Sequence, residues 1–235
     1  VWKPFQVPEF SRDHRVIIYD QRGTGRTDKP SAEYSTKTLA DDAAALLEHL
    51  GAEQAVVYGH SMGGRVAQLI ALDYPQRVKK LILASSGASH TSRGIPLKMC
   101  VELVEKGYEK YARDHALRIG FTEKFIREQP QRVEEFLKIR LANLPPLETY
   151  LLHVMARQAH DTADRLKDIR VPTLVMVGDD EAKTTSDVSH SASAEILVRA
   201  IPRAKLVIVP DSGHYYFFAK PEATHRIIRD FLNEP

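Results

Sequence analysis

Gly59-His60-Ser61-Met62-Gly63-Gly64 places a serine with glycines two residues to either side, directly between an apolar run and a helix-forming one. Ala55-Val56-Val57-Tyr58 reads as a short buried strand, and Arg65 to Leu72 as an amphipathic helix. A strand that turns at once into a helix leaves no loop in which to relax. Residue 61 is therefore expected in strained backbone geometry with its hydroxyl exposed, and small residues at Gly59 and Gly63 let the turn close. The backbone N–H of Met62 then falls at a helix N-terminus, where it can stabilise a developing oxyanion.

The same strand-to-helix rhythm recurs. Val16-Ile17-Ile18-Tyr19 has the composition of a buried strand, ended by Asp20 and the turn residues Gly23 and Gly25. A helix is expected from Thr36–Thr38, with Asp41 and Asp42 in its first turn and Leu39, Ala43, Leu46, Leu47 and Leu50 on one face, ending at Gly51. Val78 with Leu81-Ile82-Leu83-Ala84, Thr173-Leu174-Val175-Met176-Val177 and Leu206-Val207-Ile208-Val209 read as further strands, and Pro221 to Leu232 as a last helix. Apolar strands alternating with helices predict an α/β architecture, a mostly parallel sheet covered on both faces.

The alternation stops between about residues 95 and 164. Apolar spacing there predicts three helices, around Leu97–Tyr111, Val133–Leu141 and Leu147–Met155, separated by Pro130 and Pro145-Pro146. This divides the chain into a core of residues 1–94 and 165–235 and an inserted helical cap of 95–164.

Composition removes several classes of function. The 235 residues are 43% hydrophobic with a formal charge of +2, enough for one sizeable core and too balanced for a nucleic-acid surface. Cys100 stands alone, which precludes an intrachain disulfide, fits a reducing, cytoplasmic setting and reads as a packing residue. No apolar run reaches membrane-spanning length. The opening Val1-Trp2-Lys3-Pro4 suggests that a genuine N-terminal segment precedes it, and a cleaved leader is compatible with that.

A serine nucleophile needs a base, and the base an orienting group. In an open parallel sheet all three belong at the carboxyl ends of strands. Gly178-Asp179-Asp180-Glu181 follows one strand and Ser212-Gly213-His214 another, giving the order serine, acid, histidine. His214 is the expected general base, and any of the three consecutive acids could orient it. His60 is expected to point away from the elbow in a structural or pocket-wall role, and His14, His49, His115 and His225 to be solvated. His153 and His160 lack metal-site company, and Gly23-Thr24-Gly25 lacks the third glycine of a dinucleotide turn, its place being taken by Asp28. Neither metal nor cofactor is expected.

Four ordered motifs resemble the α/β-hydrolase superfamily: Asp20-Gln21-Arg22-Gly23-Thr24-Gly25-Arg26-Thr27, Gly59 to Gly64, Val171 to Gly178, and Asp211 to His214 followed by Lys220-Pro221-Glu222. The resemblance implies the α/β-hydrolase fold and a capped serine hydrolase, similar to bacterial esterases and enol-lactonases. It implies Ser61 as nucleophile, His214 as base and Glu181, three residues beyond the strand-ending glycine, as acid, with Asp180 the alternative. It implies an ester or lactone as substrate, small to medium and partly hydrophobic given the cap and Tyr215 to Phe218. Carbon–carbon or amide hydrolysis, or a non-catalytic receptor, are the alternatives. By the same resemblance the second oxyanion donor stands in a loop upstream of Asp20 that Val1–Arg15 does not match. Roughly 30–50 residues would then be absent, and losing an oxyanion donor costs about 100- to 1000-fold in rate.

Overall fold

The structure is a computed structural model that describes residues 1–90, 94–180 and 189–235. Its centre is a four-stranded, all-parallel sheet in the order β1 (Ala55–His60), β2 (Val78–Ala84), β3 (Thr173–Gly178), β4 (Ala204–Val209). The two-residue side-chain period sorts the central strands onto two buried faces. Leu81, Leu83, Val175 and Val177 join Val66 and Ile70 of α3 (Met62–Asp73), Leu39 of α2 (Thr36–His49) and Leu197 of α9 (His190–Ala200) in one core. Ile82, Ala84, Leu174 and Met176 meet Phe217 and Phe218 of α10 (Tyr216–Ala219) and Phe231 of α11 (Pro221–Asn233) in the other. A sheet buried on both sides explains why these strands read as continuous apolar runs.

Helix α2 begins where the sequence places it, because Ser35 caps it by accepting the Thr38 N–H. Asp41 and Asp42 lie beyond its first turn. They serve as tethers: Asp42 takes two hydrogen bonds from the Arg22 guanidinium, at 2.8 and 2.6 Å, and Asp41 accepts the Tyr74 hydroxyl at 2.6 Å.

Val16–Tyr19 is not a strand. The segment has no regular secondary structure and pairs with no described strand, and Ile18 and Tyr19 are 41% and 43% exposed. Apolar composition gives a segment the potential for a ladder, and the ladder itself needs a partner edge. At the N-terminus, α1 (Gln6–Phe10) docks on α11, where Arg229 bonds Glu9 and Asp13, while Trp2 stacks on Phe217 at 5.1 Å.

Among the described residues between β2 and β3 the chain forms five α-helices where three helices were expected: α4 (Leu97–Lys106), α5 (Tyr108–Gly120), α6 (Glu123–Glu128), α7 (Pro130–Leu141) and α8 (Leu147–Ala159). Gly107, at a φ of 77°, divides the first expected helix in two, and a Thr122-capped turn adds α6. Among the described residues no helix is long and apolar enough to cross a membrane.

Candidate active site

Ser61 occupies the junction of β1 and α3 at φ 56° and ψ −118°, a left-handed conformation that costs a non-glycine residue of order 1–3 kcal/mol. The sheet enforces it: the Ser61 N–H donates to Ala84 O at 2.8 Å, and Gly64 N–H donates to Ser61 O at 3.0 Å. The Ser61 side chain makes no capping bond to α3, so its hydroxyl is not committed to the helix. Met62 is the first residue of that helix.

The glycines that permit the turn are Gly59 and Gly64, and Gly63 is not one of them. A Cβ on Gly59 would overlap the Gly63 carbonyl, and one on Gly64 would sit 2.5 Å from Ser86 Cβ. A Cβ on Gly63 would meet nothing. The difference arises because residue 64, the third of α3, faces Ser86 just beyond β2, whereas residue 63 faces open space.

His214 lies beyond β4 and is buried. Its N–H donates to Ile119 O at 3.0 Å, and the Tyr215 N–H to Gly120 O at 2.9 Å, so the histidine loop leans on the end of α5. His60 also holds it. The acceptor is a carbonyl, so Nε2 of His60 donates, reaching His214 O at 2.8 Å, with the two rings 4.5 Å apart. His60 therefore joins the residue next to Ser61 to the histidine loop, a contact that the alternation of side chains along a strand conceals. Burial pushes the His214 imidazole down to about 3, reinforced by His115, Arg140 and Arg157. The ring is consequently uncharged at neutral pH.

Of the three consecutive acids, Glu181 lies outside the described residues. Asp179 binds backbone: its carboxylate accepts the N–H groups of Asp211 and Ser212 at 2.8 and 2.9 Å, clamping the loop that leads to His214. Asp180 bonds Ser212 O through its own N–H at 3.0 Å and lines a cleft of about 520 Å³ with Thr122, Glu123, Lys124, Asp179 and Asp211. That cleft includes neither Ser61 nor His214.

His14 and His49 are exposed, as expected, whereas His115 and the aromatics Tyr215 to Phe218 depart from their expected settings. His115 is not solvated: burial holds it down to about 3, with Arg140, Arg118 and Arg157 adding to the effect. Its place on α5 among Tyr111, Ala112 and Ala116, all buried, is the spacing signal that marks it as inward-facing. His153 donates to Arg22 O at 2.9 Å, and His160 bonds Thr36 Oγ1 at 2.9 Å and Thr162 Oγ1 at 3.3 Å, so both tie α8 to the core. Tyr215 to Phe218 pack into the interior, Phe218 against Phe5 and Phe136, and line no open surface.

A family model described as the alpha/beta hydrolase fold matches residues 1–221. A RutD protein of Azorhizobium caulinodans, named for carbamate hydrolysis, is 31% identical over 238 aligned positions, which cover 99% of this chain and 86% of the relative. The structure of the enol-lactonase from Burkholderia xenovorans LB400 superposes with a TM-score of 0.86 at 26% identity, covering 99% of this chain and 86% of that one. Est816, described as an N-acyl homoserine lactone degrading enzyme, superposes at 0.81 with 29% identity, over 98% and 87% of the two chains.

Proposed function

This chain belongs to the α/β-hydrolase fold family, and we propose that it is a serine hydrolase that opens a carboxylic ester or lactone through an acyl-enzyme. The carrying observation is Ser61: a serine forced into left-handed geometry at a strand–helix junction, its hydroxyl uncommitted to the helix, one residue from the side chain that holds the His214 loop. In this reading Ser61 Oγ attacks the carbonyl carbon while His214 takes its proton. The carbonyl oxygen becomes an oxyanion stabilised by the Met62 N–H. Collapse releases the alcohol, which leaves with the proton from His214, and water repeats the sequence on the acyl-enzyme. Glu181 orients the ring and stabilises its cationic form. Helices α4–α8 act as the cap over the site.

The choice of ester or lactone is supported by the lactone chemistry in the names of two structural neighbours. The carbamate in the name of the RutD relative favours a second reading, cleavage of a carbamate or amide by the same residues. A panel of p-nitrophenyl esters and carbamates with two to six acyl carbons decides between them. We expect ester turnover that Ser61→Ala abolishes and fluorophosphonate labelling at Ser61. Turnover confined to carbamates would move the assignment to the second reading. No turnover with no labelling would leave a ligand receptor on a hydrolase fold.

A further inference from the structure

We propose that His60 is a positioning residue for the reaction, its Nε2–H fixing His214 relative to Ser61. The proposal rests on the serine-hydrolase reading and names the residue that sets the geometry of its proton transfer.

The loop that carries His214 is held by several elements. Asp179, just beyond β3, takes the N–H groups of Asp211 and Ser212 at 2.8 and 2.9 Å. The end of α5 takes those of His214 and Tyr215 at 3.0 and 2.9 Å. These bonds connect to Ser61 only through neighbouring strands or through the insertion. The His214 carbonyl is bound from elsewhere, by His60 Nε2 at 2.8 Å. His60 is the last residue of β1 and the covalent neighbour of Ser61. It pairs with Ala84 of β2, whose carbonyl also takes the Ser61 N–H at 2.8 Å. One residue and one hydrogen bond therefore join the proposed nucleophile to the backbone of the proposed base.

The imidazole that makes this bond is itself held. Its ring centre lies 4.8 Å from that of Phe217, 6.4 Å from Tyr216 and 6.5 Å from Trp2. Trp2 is in turn stacked on Phe217 and set edge-on to Tyr58 at 4.9 Å. Such a nest accommodates a phenylalanine, so the Nε2–H is the part of His60 that packing does not require. In surroundings of low polarity a hydrogen bond is strengthened and an unpaired carbonyl is costly, so this bond resists displacement of the loop. A general base acts within about 2.6–3.2 Å of the group it deprotonates, and misplacement by about an ångström costs about 100-fold in rate.

The test separates the N–H from the ring. His60→Phe keeps an aromatic ring and removes the donor, whereas His60→Gln removes the ring and keeps an amide N–H at about the same reach. Trp2, the one tryptophan of the chain, reports through its emission whether the nest is intact. With the p-nitrophenyl ester that wild type turns over fastest, we expect His60→Phe to keep the Trp2 emission and KM while losing about 100-fold in kcat. His60→Gln should shift the emission and recover about tenfold of that loss, roughly one hydrogen bond's worth. A packing role predicts the reverse order, with His60→Phe the better enzyme. If both variants unfold, the decision passes to nitrogen-15 NMR of the wild type, where the neutral His60 ring should carry its proton on Nε2 and exchange it slowly with water. A proton on Nδ1, or one on Nε2 that exchanges as fast as in free imidazole, overturns the role, as does kcat kept in His60→Phe or lost equally in two folded variants. Any of these with wild-type turnover removes the positioning role and leaves the hydrolase. A wild type that turns over no ester and takes no fluorophosphonate removes the hydrolase, and this role with it.

Discussion

β3 buries all six of its residues and β2 all but Lys79, whereas α4, in the inserted helices, leaves Leu97 and Val104 exposed by 78% and 87%. The interior sides differ as well. The sheet layer is filled by apolar side chains, aliphatic on one face and largely aromatic on the other, and set by glycines with no room for a Cβ, while the insertion turns His115, Arg140, His153 and Arg157 toward its packed side. The first region therefore holds atoms in place, and the second carries polar groups among its packed helices. Substitutions should separate the two: severe and indifferent to substrate in the sheet layer, mild and substrate-selective in the insertion.

The largest effect is expected at the elbow. Gly59→Ala drives a methyl group into the Gly63 carbonyl, and only a backbone shift relieves the overlap. Such overpacking costs roughly 3 kcal/mol, and displacement of the proposed nucleophile by about an ångström costs about 100-fold in rate. Thermal unfolding and kcat on any accepted ester would show both losses together. An active, normally stable Gly59→Ala protein would break the contrast between the regions.

Acid should attack the insertion side first. His115, His160 and His214 are all held down to about 3, principally by burial, against an ordinary value of 6.5. The unfolded chain then binds more protons between about pH 3 and 6.5. Their stabilising contribution is complete above the upper value and shrinks as pH falls through the window, by at most about 1.4 kcal/mol per pH unit for each ring. His115 lies on α5, His160 directly follows α8, and the His214 backbone bonds the end of α5. Protection from hydrogen exchange, corrected for the intrinsic rate at each pH, should fall by pH 5 in α5 and α8 before it does in β2 and β3; a uniform fall would contradict this.

An intermediate effect is expected at the seam. His160→Ala leaves the Thr36 and Thr162 hydroxyls short of a partner in a buried network that continues through Gln68 to the Gly87 carbonyl. A loss of about 2 kcal/mol in denaturant titration is expected, with His160→Gln recovering part of it. The smallest effect belongs to Val104→Lys on the exposed side of α4, within about 0.5 kcal/mol of the parent. A larger loss there would mean that this surface is covered in solution.

What the sequence conveyed divides along the same line. The strands β1 to β4, the elbow and the last helix follow from local periodicity and turn chemistry, which act within a few residues and so leave a readable pattern. Val16–Tyr19 misleads because a strand is a relation between two segments, and the segment's own composition describes only one of them. Gly63 and Gly64 could not be ranked without the position of Ser86, which lies on a neighbouring strand's end. The inward turn of His115, Arg140 and Arg157 was present in the three- and four-residue spacing but masked by their polarity. Among the acids, Asp179 is committed to the backbone of the histidine loop. The orienting role proposed for Glu181 is open to a side-by-side comparison of Glu181→Gln with Asp180→Asn, in which only the former should lose most of the activity.

Gly120 and Gly213 approach so closely that a side chain on either would strike the other's loop, and the N–H groups of His214 and Tyr215 close the gap onto Ile119 and Gly120. For anyone exchanging the inserted helices between relatives, this makes the obvious junctions treacherous. A graft cut near residues 95 and 164 imports a foreign cradle for the histidine together with the foreign pocket, so a dead chimera says nothing about substrate choice. A graft that keeps residues 118–122 native leaves that cradle intact, and it is the version in which any effect of the inserted helices on substrate choice can be read.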